Sequence, residues 1–359
     1  MKASRDAPVI LVALTSWAVS FIIHYPGFAW TIYSDVVSFW FREEGLRAGL
    51  LACIQYFFEY PPASCLTVDA ARLLGGPSLE GFYTAFAILS LPAYIILALA
   101  IHGIYPDRAL GVLLVLSSPS LIVYGIYNFD QFVAAFLALS VLLHLRGRSM
   151  AGTAFLGAAV AFKLIPIILL PIYLAGGGAR RKVLGFIAGL APLSYPAMIN
   201  PQYMSEFLSY HTGWGLENAW YLWLAGDPFS VSAKVFGIWL MIILMLRSYL
   251  AEAGFPTKSF QLTASWLLSS YVFTPQMALW ILPTVLSSGA LTPFWPAFEA
   301  ANTMIIFTWF TTDTPTLPWT LPQLVALVRA ALLAVIFASA HGWLKPLFPC
   351  RLARDLGGV

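Results

Sequence analysis

Charged side chains are scarce. They make up 10% of the 359 residues, against about 25% in a water-soluble domain whose surface must face water. That shortage excludes a soluble globular enzyme, a disordered chain and a nucleic-acid binder. Cysteine is nearly absent too. Cys53, Cys65 and Cys350 show neither a Cys-x-x-Cys pair nor zinc-ligand spacing, so no metal-stapled module is expected. Cys53 and Cys65 could meet in one loop, and two buried thiols are the expectation. No Walker loop, GxGxxG fingerprint, HExxH or GxSxG occurs, which removes the main support for a nucleotide-driven pump and a zinc protease.

Apolar residues are abundant: 60% of the chain is hydrophobic and the mean hydropathy is +0.81. This is the composition of a polytopic membrane protein. The net charge of +3 says little about partners, because charge here matters by side of the membrane. Lys2 and Arg5 precede an apolar run over 7–23 that is longer than a signal peptide's core and lacks a cleavage site. It reads as a first membrane helix that stays attached.

Spanning helices are expected near 7–30, 80–104, 107–125, 130–145, 183–200, 229–248, 259–273, 275–290, 293–311 and 322–344. The 259–273 and 275–290 pair is short for a crossing of about 20 residues and meets at Thr274-Pro275. The stretch 149–176 lies between Arg146 and Arg148 on one side and Arg180, Arg181 and Lys182 on the other. Basic clusters mark cytoplasmic loops, so this stretch reads as a bent hairpin, broken around Lys163-Leu164-Ile165-Pro166. Both termini then fall in the cytoplasm. The substantial hydrophilic stretches 31–79 and 201–228 become extracytoplasmic loops within a single integral membrane domain over 1–359.

In the first loop, Val36, Val37, Phe39, Trp40 and Phe41 against Ser38, Arg42, Glu43 and Glu44 make a short segment with an apolar side, as in a short interfacial helix. Tyr60-Pro61-Pro62 stops the next segment and Gly75-Gly76 ends the one after it. Asp35 stands at the outer interface, where partial desolvation raises proton affinity and suits a general base. The same residue could be the N-cap of a helix starting at Val36, and both roles can hold together. Asn128-Phe129-Asp130-Gln131 sits at an outer break, again in a capping position.

Lys163 is an ionisable group at membrane depth, which marks function by default, although a lysine there can also snorkel to the interface. The second loop supplies His211, Glu217 and Asn218 beside Trp214, Trp220, Tyr221 and Trp223. Flat apolar faces next to hydroxyl-binding groups suit a sugar, and Trp and Tyr also mark any membrane interface. Gln276 and Trp280 would share one helical face. A lone Glu299 in an apolar helix is expected to be paired inside the bundle.

Taken in order, these segments resemble the polytopic GT-C glycosyltransferases that use lipid-phosphate-linked sugars. The resemblance is to the GPI mannosyltransferase I catalytic subunit and to prokaryotic polyprenol-phosphate-mannose-dependent mannosyltransferases. It rests on Tyr33-Ser34-Asp35-Val36-Val37, Tyr60-Pro61-Pro62, the run from Ser118-Pro119 through Asn128-Phe129-Asp130 to Ala161-Phe162-Lys163-Leu164-Ile165-Pro166 and Leu170-Pro171, Tyr210-His211 through Asn218, and Thr274-Pro275-Gln276 with Leu279-Trp280 and Leu282-Pro283. The chain departs from the pattern at Val37, where a second acid would stand. It departs again at Asn128-Phe129-Asp130, where the family has Arg-Gly-Asn, and at Thr212-Gly213-Trp214, which replaces a basic run.

The resemblance implies an all-α GT-C-like bundle of about 10–12 transmembrane segments, with short interfacial helices in its extracytoplasmic loops. It implies inverting transfer of a hexose, mannose in the family, from a polyprenyl or dolichyl monophosphate carrier to a lipid, glycan or protein acceptor. Asp35 would take the acceptor proton, with Tyr33, Asp130, Lys163, His211, Glu217, Asn218, Gln276 and Trp280 as substrate-binding positions. Lys163 and His211 would supply positive charge to the leaving phosphate. No cofactor is expected, and with Val37 in place of the second acid a divalent metal is not called for. Partners would be the donor, the acceptor, membrane lipids and an accessory subunit, with no nucleic acid. The location would be the cell membrane of a prokaryote or the endoplasmic reticulum of a eukaryote. A transporter or flippase of a lipid-linked or polar solute is the competing class, since broken helices and midplane polar groups mark transporters too. A non-catalytic assembly subunit is a third.

Overall fold

The computed structural model describes residues 3–289 and 294–344. Cys350 lies outside them. Among the described residues the chain is all-α, with only the isolated bridges Ala52–Tyr56 and Glu217–Val272 in extended pairing. Among the described residues, five helices are long and apolar enough to cross a bilayer: Asp6–His24, Leu79–Ile104, Ala179–Ile199, Val231–Leu250 and Leu321–Ala340. Asp130–Leu145, Ser149–Phe162 and Ile165–Leu174 are apolar but shorter. The protein is an integral membrane protein by composition and by these helices.

Proline redraws three expected spans. The first helix stops at His24, before the Pro26-Gly27 turn. The 107–125 span is two helices, Ala109–Leu116 and Pro119–Tyr124, because Pro119 has no N–H to continue the ladder. The 275–290 span is 3₁₀ rather than α, in the pieces Pro275–Ile281 and Val285–Ser288. Residues three apart eclipse in a 3₁₀ turn, so Gln276 and Trp280, four apart, do not share a face. The cysteine expectation is also corrected. Cys53 and Cys65 form a disulfide with Cα atoms 6.0 Å apart, because the chain doubles back before the helix Pro62–Gly75.

The chain divides into two compact units, Met1–Ile104 with Leu121–Gly213, and Tyr105–Ser120 with Trp214–Val359. In the first, the helices Ser149–Phe162 and Ala179–Leu190 pack backbone to backbone. A Cβ on Gly157 would strike the Phe186 carbonyl, one on Gly185 that of Met150, and one on Gly189 that of Ala154. Small residues at this spacing are how membrane helices approach closely without a hydrophobic drive. The helix Ser149–Phe162 ends where Lys163 turns extended and the chain enters the 3₁₀ turn Ile165–Leu169.

The core of the second unit carries polar groups. Along the helix Phe255–Ser269, Ser259, Thr263, Ser265 and Ser269 are buried and donate to the carbonyls of Phe255, Ser259, Gln261 and Ser265. Each hydroxyl is satisfied within its own helix. Arg329, fully buried in the helix Leu321–Ala340, donates to Asn302 Oδ1 (3.1 Å) and to the carbonyls of Asn218 (3.2 Å) and Phe273 (2.6 Å).

Candidate active site

The site in the first unit is built on the helix Asp35–Arg42. Ser34, not Asp35, is its N-cap: Ser34 Oγ accepts from Val37 N–H at 3.3 Å. The apolar side of this helix turns inward and buries Val36 and Phe39. Phe39 meets Phe58 at 5.1 Å, Tyr60 at 5.4 Å and Phe129 at 5.9 Å between ring centroids.

Because the cap is Ser34, the Asp35 carboxylate is available for other bonds, and it receives three. Tyr33 Oη donates to Oδ1 at 3.1 Å. Tyr60 Oη and Asn128 Nδ2 donate to Oδ2 at 2.9 and 3.2 Å. The Asn128 amide is oriented by its other end, since Asn128 Oδ1 accepts from Asp130 N–H at 3.1 Å. Burial, and then the negative charge of Glu59, raise the Asp35 carboxyl above the usual carboxylate range; Tyr60, Arg42 and Asn128 pull the other way.

Glu59 is engaged by Arg42 at 2.7 Å and by the Tyr210 hydroxyl. The Tyr203 hydroxyl donates to the Tyr60 carbonyl. The helix Gln202–Gly213 is thus tied to the arm that carries Glu59 and Tyr60. It also carries His211, whose Nδ1 lies 2.8 Å from the Phe207 carbonyl. A carbonyl can only accept, so Nδ1 carries the proton and Nε2 is the acceptor end of the neutral ring. Burial lowers the His211 pKa, and the nearby Lys163 charge adds to that. In this state the ring lacks the positive charge that the expected phosphate-neutralising role requires.

Lys163 caps the C-terminus of the helix Ser149–Phe162. Its Nζ lies 3.7 Å from Asp130 Oδ2 and 4.4 Å above the centre of the Tyr60 ring. Asp130 is fully buried, so this lysine is paired inside the unit instead of snorkelling.

The unit therefore gathers Tyr33, Asp35, Asp130, Lys163 and His211 of the expected set. The remaining four, Glu217, Asn218, Gln276 and Trp280, belong to the second unit, whose boundary falls at Gly213 and Trp214. There Glu217 pairs its backbone with Tyr271 and Phe273. Asn218 takes positive φ, and its carbonyl serves Arg329. The Trp280 ring lies tilted against Trp266, with centroids 5.5 Å apart. Glu299 accepts from Ser120 N–H at 2.8 Å, which settles its partner. Among the described residues no group of three His, Cys, Asp or Glu side chains could hold a metal ion.

Residue-type reasoning missed Tyr60, Asn128 and Glu59 as members of the acid site, and Arg329 altogether. Arg329 carried a signal, an arginine inside an apolar helix. Tyr60 carried only its place before Pro61, and Glu59 none.

No family model matches the chain, and no curated protein matches it in sequence. Its fold is similar to the crystal structure of ArnT from Cupriavidus metallidurans bound to undecaprenyl phosphate. The TM-score is 0.48 at 16% identity, over 92% of this chain and 75% of that one. A likeness so distant concerns the course of the helices and carries nothing about substrate.

Proposed function

We propose that the protein is a membrane glycosyltransferase that moves a hexose, mannose by the family resemblance, from a polyprenyl monophosphate carrier to an acceptor hydroxyl with inversion. The observation that carries this reading is the Asp35 carboxylate, half-buried and held by three donors, in the same unit as the Lys163–Asp130 pair. The acceptor oxygen attacks the anomeric carbon and its proton passes to Asp35. The bond from that carbon to the phosphate oxygen breaks, and the polyprenyl phosphate leaves with the electron pair. Positive charge near the departing oxygens stabilises them, and Lys163 is the group assigned to this. His211, with Nε2 accepting, suits a sugar hydroxyl.

We place the site on the extracytoplasmic face. Charge sorting along the sequence supports this, and so does the Cys53–Cys65 disulfide in the loop that carries Tyr60, since disulfides persist in oxidising compartments. Cysteines introduced at Ser38 and Ser209 should react with an impermeant thiol reagent from outside, and one at Arg181 should not. Outside labelling at Arg181 alone would reverse the topology.

The functional test is transfer of labelled sugar from purified polyprenyl-phosphate-mannose to membrane acceptors by the reconstituted protein. Movement of solute without transfer would favour a transporter, and neither activity an assembly subunit. Asp35→Asn should lower turnover ~10²–10⁴-fold, the usual contribution of a general base. Its melting temperature and carrier binding should stay near wild type, because Ser34 does the capping. Full activity of Asp35→Asn would remove Asp35 from the mechanism.

A further inference from the structure

Tyr60 touches both charged halves of the site. Its hydroxyl donates to Asp35 Oδ2 at 2.9 Å. Its ring lies under Lys163 Nζ at 4.4 Å, within cation–π range. The ring itself has little freedom. Phe129, Phe39 and Phe58 crowd it with centroids at 5.0, 5.4 and 5.6 Å. Its carbonyl is held by Tyr203, and Pro61 follows it and limits its backbone to extended conformations. The Cys53–Cys65 disulfide closes the arm on which it sits.

We propose that Tyr60 is a positioning residue that fixes the Asp35 carboxylate through its hydroxyl and the Lys163 ammonium through its ring, so that base and cation keep one spacing. The proposal rests on the reading of Asp35 as the base. A carboxylate oxygen has about two acceptor sites. Tyr60 and Asn128 fill those of Oδ2, while among the described residues Oδ1 accepts a hydrogen bond from Tyr33 alone. The acceptor hydroxyl is therefore directed to Oδ1, on the Tyr33 side. The groups facing the carboxylate are Tyr33 and Arg42 from its own segment, Glu59 and Tyr60 from the following arm, and Asn128 from the entry to the helix Asp130–Leu145. Asp130 and Lys163 stand beyond the Tyr60 ring. Burial, with Asp35 and Glu59 alongside, pushes the Tyr60 phenol well above its ordinary range, so it stays protonated and remains a donor throughout.

The test separates hydroxyl from ring. Tyr60→Phe keeps the packing and the face under Lys163. It should lower kcat about tenfold, as expected for a lost bond to a charged group, with unchanged melting temperature and unchanged Kd for polyprenyl phosphate. Losing a donor to the charged form favours the protonated acid, so the acid limb of the kcat profile should move to higher pH. Tyr60→Leu removes the ring as well and should also weaken polyprenyl phosphate binding by roughly threefold or more. A Tyr60→Phe protein with wild-type kcat and pH profile overturns the proposal, as does a Tyr60→Leu protein that stays folded and binds polyprenyl phosphate as wild type. If in either case Asp35→Asn is inactive, the base assignment survives and Tyr60 alone fails. If Asp35→Asn is fully active, the underlying reading fails first.

Discussion

Asp35 and Arg329 are ionisable groups withdrawn from water, one in each compact unit, and their surroundings differ in kind. Around Arg329 the partners are main-chain carbonyls of Asn218 and Phe273 and the amide of Asn302, which itself donates to Ser120 Oγ and the Pro275 carbonyl. The guanidinium stitches irregular backbone to two helices, and its work is done when the chain is folded. Around Asp35 the partners are side chains: two phenols and an amide, with a second acid and an arginine beyond. The donors position the carboxylate, burial and Glu59 raise it, and it keeps acceptor capacity. Burial of charge is thus common to a structural node and to a candidate catalytic one. What separates them is whether the partners are mainly main-chain acceptors or side-chain donors that leave the group acceptor capacity.

The largest expected effect on stability comes from breaking the arrangement around Arg329. Arg329→Met leaves three buried acceptors without their donor, at about 1–3 kcal/mol each. The melting temperature should fall sharply, while turnover per folded molecule, measured below the transition, stays near wild type. Loss of turnover at full stability would place Arg329 in the chemistry instead. Arg329→Lys should recover only part of the stability, because a single ammonium cannot reproduce the planar fork.

Lys163→Met comes next. It strips the buried Asp130 of its cation, which typically costs ~3–5 kcal/mol, so this variant is expected to lose stability as well as carrier affinity. Adding Asp130→Asn should restore most of the stability and none of the affinity. A double variant that recovers carrier binding would return Lys163 to a purely structural role.

The smallest effect concerns Asp69, which accepts from Ala52 N–H at 2.9 Å near the disulfide. Burial raises its carboxyl to about 6. The folded protein holds this proton more tightly than the unfolded chain. Its contribution to stability is therefore present below the ordinary carboxylate value and is lost as pH rises through about 6. Asp69→Asn keeps the acceptor for Ala52 and should flatten the pH dependence of Tm in that window. An unchanged slope would show that another group titrates there.

Membrane class, the helical architecture and the break at Lys163-Pro166 were legible in the amino-acid sequence. They depend on local physics: apolar length against bilayer thickness, and the missing N–H of proline. Asp35 was legible as a candidate through its place after the first helix, but its capping role was not excluded. The competition between Ser34 and Asp35 for the helix N–H groups is settled only by which side chain has better company elsewhere. Tertiary structure decided the rest. It put Tyr60, 25 residues away in sequence, and Asn128, 93 away, on one carboxylate oxygen. It paired Lys163 with Asp130, closed Cys53 on Cys65, and assigned His211 to one unit and Glu217 and Asn218 to the other. Contacts of that kind have no periodicity along the chain. They depend on how closely helices approach, as at Gly157, Gly185 and Gly189, and close approach is a property of surfaces that only the packed chain possesses.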